Sequence, residues 1–454
     1  MIWLVDRFAV AFGVALILLA AVFVLQQRRT PQSTAAWLLF IVLVPYAAIP
    51  LFLLLGFRKQ GSRFPTIRFS TLGDAGAPPG PTGLDNVLRR FGLPAAMGEN
   101  SFELIDDGVT AYGTMMRLVE SATTSLDISF YIVADDAVGV AFVNALEDKA
   151  RSGVEVRLVL DRLGNLKPPR AALHSFQEAG GKLRYFSPIL HAPDKGHLNL
   201  RNHRKMVIAD RACVFSGGIN VGNDYMGPEP DSGRFIDLSF VLQGPAVTTF
   251  LDVHHSDWGT AGRAVREPPP VNAHERHGET VAQLVPSGPD MKGDPLHDAL
   301  VNAIHAARRR VWLATPYFLP TELLGHALAT AGRRGVDVRI MVPERSNHRI
   351  ADFARGAYLR ELAGAGCHVH FQKKMVHAKA GIIDDAAWIG SANFDVRSML
   401  LNFETALFLY DASSVSCITD WFVAMEDGCE ERVSSDNLFR RILEGVFRLG
   451  SPIL

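Results

Sequence analysis

The sequence predicts an α/β protein built from a duplicated unit and preceded by a helical hairpin in the membrane. Three observations carry this reading. Two uncharged apolar stretches open the chain, alternating helix and strand patterns fill most of the remainder, and a His-x-Lys-x4-Asp pattern occurs twice. Composition sets the frame. The chain has 454 residues, 48% hydrophobic and 20% charged, which excludes a disordered chain and leaves ample material for a core. Lys+Arg 46 against Asp+Glu 47 gives a formal charge of −1, so an anionic ligand must meet a local cationic cluster. The same balance argues against a nucleic-acid binder. Cys213, Cys367, Cys417 and Cys429 are scattered, with neither CxxC spacing nor a disulfide framework.

The hairpin comes first, at residues 1–60. Phe8 to Leu25 is a run of 18 residues without a charge. At helical rise that is about 27 Å, close to one hydrocarbon core. A second uncharged stretch runs from Ala35 to Phe57, with Pro45 and Pro50 inside it. The polar turn from Gln26 to Pro31 separates them. A cleaved signal peptide fits less well, because a second apolar stretch follows at once. Arg28 and Arg29 lie in the turn, against Arg7, Arg58, Lys59, Arg63 and Arg68 on the flanks. The positive-inside rule then places both ends, and the catalytic part, on the cytoplasmic side.

Residues 61–100 read as a linker, on the strength of the Gly73–Pro81 run of Gly, Ala and Pro. The first α/β half, 101–285, follows. Its pattern gives a helix over 109–122, a strand over 125–132, a helix over 137–151 and a strand over 154–160. The second half, 286–454, repeats the order: helix 296–307, strand 310–315, helix 322–333 and strand 335–342. Gly153-Val-Glu-Val-Arg-Leu-Val-Leu is matched by Gly335-Val-Asp-Val-Arg-Ile-Met-Val, 182 residues later. Asp106-Asp107 and Asp135-Asp136 read as a solvated edge and a turn. The C-terminal run Leu438–Leu449 is amphipathic at helical spacing, and suits either a membrane surface or the catalytic core.

Two motifs carry the chemistry. The fifteen histidines include only two in a His-x-Lys tripeptide, His203-Arg204-Lys205 and His377-Ala378-Lys379. Each continues to an Asp, Asp210 and Asp384. On a strand, alternate residues share a face, so each His and its Lys project together. Each Asp falls at a hairpin turn, which makes it an orienting or structural group rather than a proton-transfer residue. Small-residue turns follow, Gly217-Gly218-Ile219-Asn220 and Gly390-Ser391-Ala392-Asn393. Small residues let backbone N–H groups approach an anion, and Asn220 and Asn393 add side-chain donors. Two imidazoles, two ammonium groups and two amides suit a phosphodiester: cations hold the non-bridging oxygens while imidazoles attack and protonate. This chemistry needs no cofactor and no metal. His368-x-His370 has no neighbouring carboxylate in sequence to complete a metal site.

Paired motifs of this kind resemble the phospholipase D superfamily, and within it the bacterial cardiolipin synthases. Further residues carry the likeness. They include Arg28-Arg29-Thr30-Pro31 with Ala35-Ala36-Trp37-Leu38-Leu39, and Arg201-Asn202-His203-Arg204-Lys205-Met206. They also include Thr315–Pro320, Asp395 with Arg397-Ser398, Leu401-Asn402-Phe403-Glu404 and Ser451-Pro452-Ile453-Leu454. The resemblance implies two pseudo-symmetric phospholipase D-like α/β sandwich halves forming one active site, with the histidines facing each other. It implies that a downstream acid orients each histidine: Asp237 in the first half, Glu404 in the second. Around Asp237 the chain reads Phe235-Ile236-Asp237-Leu238-Ser239, a departure from the family's usual Trp-Arg-Asp-Thr-His.

The activity implied is cardiolipin synthesis in a bacterial inner membrane. One phosphatidylglycerol gives its phosphatidyl group to His203 as nucleophile, with His377 as general acid. A second phosphatidylglycerol then accepts it. The implied partners are phosphatidylglycerol and membrane phospholipid. A phosphodiesterase using water, or an inactive lipid-binding scaffold, are the alternatives. Nothing in the sequence fixes the oligomeric state.

Overall fold

The structure is a computed structural model that describes residues 2–26, 31–55, 64–71, 83–186, 200–262, 277–432 and 444. Among the described residues, fifteen strands form one continuous sheet. From the centre outward, the first half runs Met97–Ile105, Ser239–Gln243, Cys213–Gly217, Met206–Ala209, Ser125–Phe130, Glu155–Asp161 and Lys182–Phe186. The second half runs Thr280–Ser287, Glu404–Leu409, Ala386–Gly390, Ala380–Ile383, Arg310–Ala314, Asp337–Pro343, His368–Gln372 and Cys429–Glu431. The two orders match strand for strand until the last. In each half the three strands linked by helices are parallel, and the first strand of the hairpin that follows the motif pairs antiparallel with the innermost of them.

Both faces of the sheet are covered. Along Met206–Ala209, Met206 and Ile208 enter one apolar cluster while Val207 and Ala209 enter another. Val214 and Phe215 divide the same way. A strand buried on both sides reads as the unbroken apolar run seen in the sequence. The elements expected at 109–122, 125–132, 137–151, 154–160, 296–307, 310–315, 322–333 and 335–342 all occur, with ends shifted by at most two residues. Asp107 and Asp136 have a role beyond the solvated edge and the turn expected of them. They cap the helices Gly108–Ser121 and Ala137–Arg151, accepting from backbone N–H groups at 2.9 Å.

Three expectations change. Residues 61–100 are more than a linker, for they include the helix Leu84–Arg90 and the start of the central strand Met97–Ile105. Leu84, Leu88 and Leu93 are buried in the main core. Ser70 donates through its N–H and hydroxyl to Asp252, at 2.8 and 3.0 Å. Composition overstated the linker because the Gly73–Pro81 run dominates the window; that run lies outside the described residues. The boundary at 285/286 also falls inside the strand Thr280–Ser287, which pairs with Met97–Ile105 on one side and Glu404–Leu409 on the other.

The third change concerns the hairpin. Ala35 to Phe57 is not one helix but parts of two, Pro31–Leu43 and Pro45–Leu55. Proline at 45 has no N–H to give and its ring crowds the preceding turn, so the helix ends before it. These pieces are about 20 and 16 Å long, each short of a hydrocarbon core. Among the described residues no helix is long and apolar enough to cross a membrane. The helix Ile2–Gln26 packs on both pieces through Val24, Ile41, Ala48 and Phe52. The turn at 27–30, the flanking Arg58, Lys59 and Arg63, and the C-terminal run apart from Glu444 lie outside the described residues.

Candidate active site

Each histidine is set by a backbone tie between the halves. His203 N–H donates to Phe403 O at 2.9 Å, and Phe403 N–H donates back to Arg201 O at 2.9 Å. In the other half His377 N–H donates to Ile236 O at 2.7 Å, and Ile236 N–H donates to Met375 O at 2.8 Å. These ties put His203 beside Glu404 and His377 beside Asp237. His203 Nδ1 lies 3.0 Å from Glu404 Oε2, and His377 Nδ1 lies 2.5 Å from Asp237 Oδ2. The acids are therefore exchanged: each half supplies the carboxylate for the other half's histidine. Reading the downstream acid as the partner of its own histidine is corrected by this geometry, since adjacency in sequence does not follow the tie across the halves.

The exchange leaves Nε2 of each ring as the atom free of the carboxylate, the arrangement needed for attack or proton transfer at phosphorus. Glu404 is itself held by Ser391 Oγ at 2.6 Å and Asn402 Nδ2 at 3.2 Å. Asp237 accepts from Leu238 N–H at 2.9 Å. Tyr131 packs edge-on to His203 at 4.8 Å between ring centroids, and Tyr225 packs edge-on to His377 at 5.1 Å. Aromatic walls of this kind fix the rings and keep water out.

The lysines lie behind the histidines. Lys205 Nζ donates to His203 O at 2.7 Å, and Lys379 Nζ donates to His377 O and lies 3.0 Å from His377 Nε2. His203–Lys205 and His377–Lys379 precede the strands Met206–Ala209 and Ala380–Ile383 rather than sitting in them. The i, i+2 relation survives because the approach is extended. Burial pulls Lys205 down to about 7 and Lys379 down to about 8. Burial also lowers both imidazoles, His377 to about 4, so the resting rings are neutral. Burial works to raise Glu404 and Asp237, but the histidine beside each, with the nearby lysine, outweighs it and holds both carboxyls below their ordinary range.

Asp210 and Asp384 belong to the hairpin turns. Both take the left-handed conformation, φ 49° and 51°. Asp210 accepts from the N–H groups of Thr123, Thr124 and Ser125 at 2.7–2.9 Å, and Asp384 from those of Arg308, Arg309 and Arg310 at 2.9–3.1 Å. Among the described residues neither touches a histidine. A four-residue strand, about 13 Å, separates each from its lysine. Asp210→Ala should therefore lower stability by about 1–3 kcal/mol through the orphaned N–H groups, with turnover per folded molecule little changed. Calorimetric unfolding beside an activity assay checks this; a loss of turnover without a loss of stability contradicts it.

The small-residue turns have a packing reason beside the one expected. A Cβ on Gly217 would collide with Leu238 O, and one on Gly390 with Thr405 O. Small residues there admit the neighbouring segment, which carries Glu404 at the start of its strand and Asp237 two residues before its strand. Asn220 and Asn393 do line the central cavity, of about 320 Å³, together with His203, His377, Tyr131, Tyr225 and Tyr317. Sequence reading missed Tyr131, Tyr225, Tyr317 and Ser391 as site residues; of these, Tyr317 and Ser391 stood inside quoted motifs. Of the other histidines, His368 Nδ1 pairs with Glu431 at 2.8 Å.

Comparison with known proteins bears on the family. Residues 115–237 and 300–426 match the family described as cardiolipin synthase, PLD-like domain. Residues 15–56 match the phospholipase D-nuclease N-terminal family. The chain is 32% identical to the probable cardiolipin synthase YwiE of Bacillus subtilis (strain 168), over 94% of this chain and 89% of that protein. It is 31% identical to the major cardiolipin synthase ClsA of the same organism, over 98% of each. A phosphatidylserine synthase crystal structure from Haemophilus influenzae Rd KW20 has a TM-score of 0.64 at 13% identity, covering 82% of this chain and 100% of that one. At that identity it bears on the fold alone.

Proposed function

Because the chain belongs to the cardiolipin synthase family of phospholipase D-like proteins, we propose that it joins two phosphatidylglycerol molecules into cardiolipin and glycerol through a phosphohistidine. It is a phosphatidyltransferase of the phospholipase D type. The observation that carries the mechanism is the pair of histidines in one cavity, each backed by a carboxylate. In the first step His203 Nε2 attacks phosphorus, the bond from phosphorus to the glycerol oxygen breaks, and His377 gives that oxygen a proton. In the second, the hydroxyl of the acceptor lipid loses its proton to His377. Its oxygen bonds to phosphorus as the P–N bond breaks. On this reading Lys205 and Lys379, which bond the carbonyls of their own histidines at rest, turn to the non-bridging oxygens, and the amides of Asn220 and Asn393 add donors. The bound anion raises the affinity of the imidazole for a proton, which lets His377 act as the acid.

Membrane residence has its own support. The N-terminal helices expose Leu18, Leu19, Leu25, Leu39, Val42 and Leu43, each more than 60% accessible. An apolar surface of this kind favours lipid over water. On this reading residues 2–55 anchor the chain in the inner membrane as a hairpin, with the catalytic part on the cytoplasmic side. Leu163, Leu166, Ile350 and Phe353 are also exposed, on segments next to cavity-lining residues, and give the cavity an apolar rim toward the bilayer.

The test is mass spectrometry of lipids after incubating purified protein in phosphatidylglycerol bilayers, with His203→Ala and His377→Ala controls. Cardiolipin and glycerol from the wild type alone support transfer. Phosphatidic acid without cardiolipin makes water the acceptor, and binding without turnover favours a scaffold. The pH profile offers a second check. An ammonium is present below its pKa and lost above it, so kcat/KM should fall as the pH passes through about 7 and about 8, where Lys205 and Lys379 titrate. A rate that stays level from about pH 6 to about pH 10 rejects this role for the lysines.

A further inference from the structure

Duplication leaves the two walls of the cavity alike in most respects. Tyr131 follows the strand Ser125–Phe130 much as Tyr317 follows Arg310–Ala314, and Asn220 and Asn393 hold matching places in their turns. The cations break the match. Counted from the two asparagines, Arg397 falls where the first half has Asp224; counted from the two histidines, Arg201 falls where the second half has Met375. Arg201 and Arg397 both line the cavity, and both act on the Tyr131 hydroxyl, so both lie toward the His203 side.

A symmetric centre suffices for the one phosphorus shared by both steps. A second phosphate, present on only one of the two reactants, calls for an asymmetric group. Lys205 and Lys379 bond the carbonyls of their own histidines, are not among the residues that line the cavity, and hold their protons weakly. Arginine keeps its charge at any physiological pH and grips phosphate with a planar fork. Arg201 and Arg397 stand close enough to repel each other. Each has a carboxylate neighbour that also serves other donors. Asp161, 3.5 Å from Arg201, also accepts from the N–H groups of Leu163, Gly164 and Asn202. Asp395 beside Arg397 caps the Val396–Leu400 helix at 2.7 Å, and burial pushes its carboxyl up to about 6. Two like charges lining a cavity are stabilised by an anion between them.

We propose that Arg201 and Arg397 form a subsite for the phosphodiester of the acceptor lipid, one glycerol away from the reacting phosphorus. The inference rests on the phosphatidyl-transfer reading above. It assigns no new covalent step: the subsite holds the acceptor while its hydroxyl displaces histidine from phosphorus.

The experiment uses the full chain in phosphatidylglycerol bilayers containing 1-butanol, with cardiolipin and phosphatidylbutanol measured together. Both products come from one phosphatidyl-enzyme, and only one acceptor carries a phosphate. Arg397→Gln should lower the ratio of cardiolipin to phosphatidylbutanol by at least about tenfold, as loss of a charge-assisted hydrogen bond predicts. Arg397→Lys, which keeps the charge without the fork, should lower it less. Loss of both products in equal proportion, or an unchanged ratio, overturns the subsite. A wild type that yields phosphatidylbutanol and phosphatidic acid without cardiolipin instead removes the transferase reading, and the subsite with it.

Discussion

Glu404→Gln should slow phosphatidyl transfer by about 10³- to 10⁴-fold with little change in fold, and should do so by disabling the histidine of the opposite half. The shape is retained, but an amide that turns its nitrogen toward His203 Nδ1 makes that atom an acceptor. The ring proton then sits on Nε2, the atom required for attack. Asp237→Asn acts on His377 in the same way. The exchange is separable from the choice of nucleophile. With a phosphatidyl-p-nitrophenol substrate the leaving group needs no proton, so the phosphohistidine forms without the general acid. Asp237→Asn should still give labelled enzyme with that substrate, and Glu404→Gln should not. Peptide mapping identifies the histidine that carries the label. Label on His203 that disappears in Glu404→Gln supports the exchanged wiring; label on His377 that disappears in the same variant contradicts it.

Arg204→Met should cost about 3–5 kcal/mol of stability, the usual cost of stranding a buried charge. Arg204 is fully buried, and lies between His203 and Lys205 in the chain. Its guanidinium bonds Asp257 at 2.6 Å, Asp290 at 2.8 and 3.0 Å and Ser287 O at 3.2 Å. Removing it leaves two buried carboxylates facing each other without a cation. Burial already pushes Asp257 up to about 6 despite the arginine. The deficit should therefore shrink as the pH falls through that value and Asp257 becomes neutral. Denaturant unfolding of the full chain in detergent at about pH 5 and about pH 8 measures it. A deficit independent of pH would show that lost packing, not charge, is the cause.

Much of this site was legible because its chemistry is local in sequence. A histidine and a lysine two residues apart need only extended backbone, and an Asp before a hairpin turn needs only its own geometry. The apolar runs at 154–160 and 335–342 specify buried strands without help from elsewhere. What the sequence did not reveal depends on contacts between distant segments. Glu404 pairs with His203 because Phe403 and Arg201 exchange backbone hydrogen bonds, and no local pattern encodes that. Asp257 and Asp290 are ordinary acids until Arg204 meets them. The strand Thr280–Ser287 belongs to both halves, so a boundary drawn through it could not succeed. Pro45 is visible in the sequence, and two short helices in place of one follow from its missing N–H.

The exchange of acids bears on how such a chain changes over generations. A substitution at Asp237 registers first at residue 377, and one at Glu404 registers at residue 203, in the opposite repeat. The repeats therefore cannot diverge independently around their histidines: selection sees them as one inherited unit, although each descends as a separate stretch of code. A single repeat paired with a copy of itself about the same axis would present the same contacts between two chains. Joining two such copies end to end would leave the wiring intact, and only afterwards could one wall acquire arginines that the other lacks.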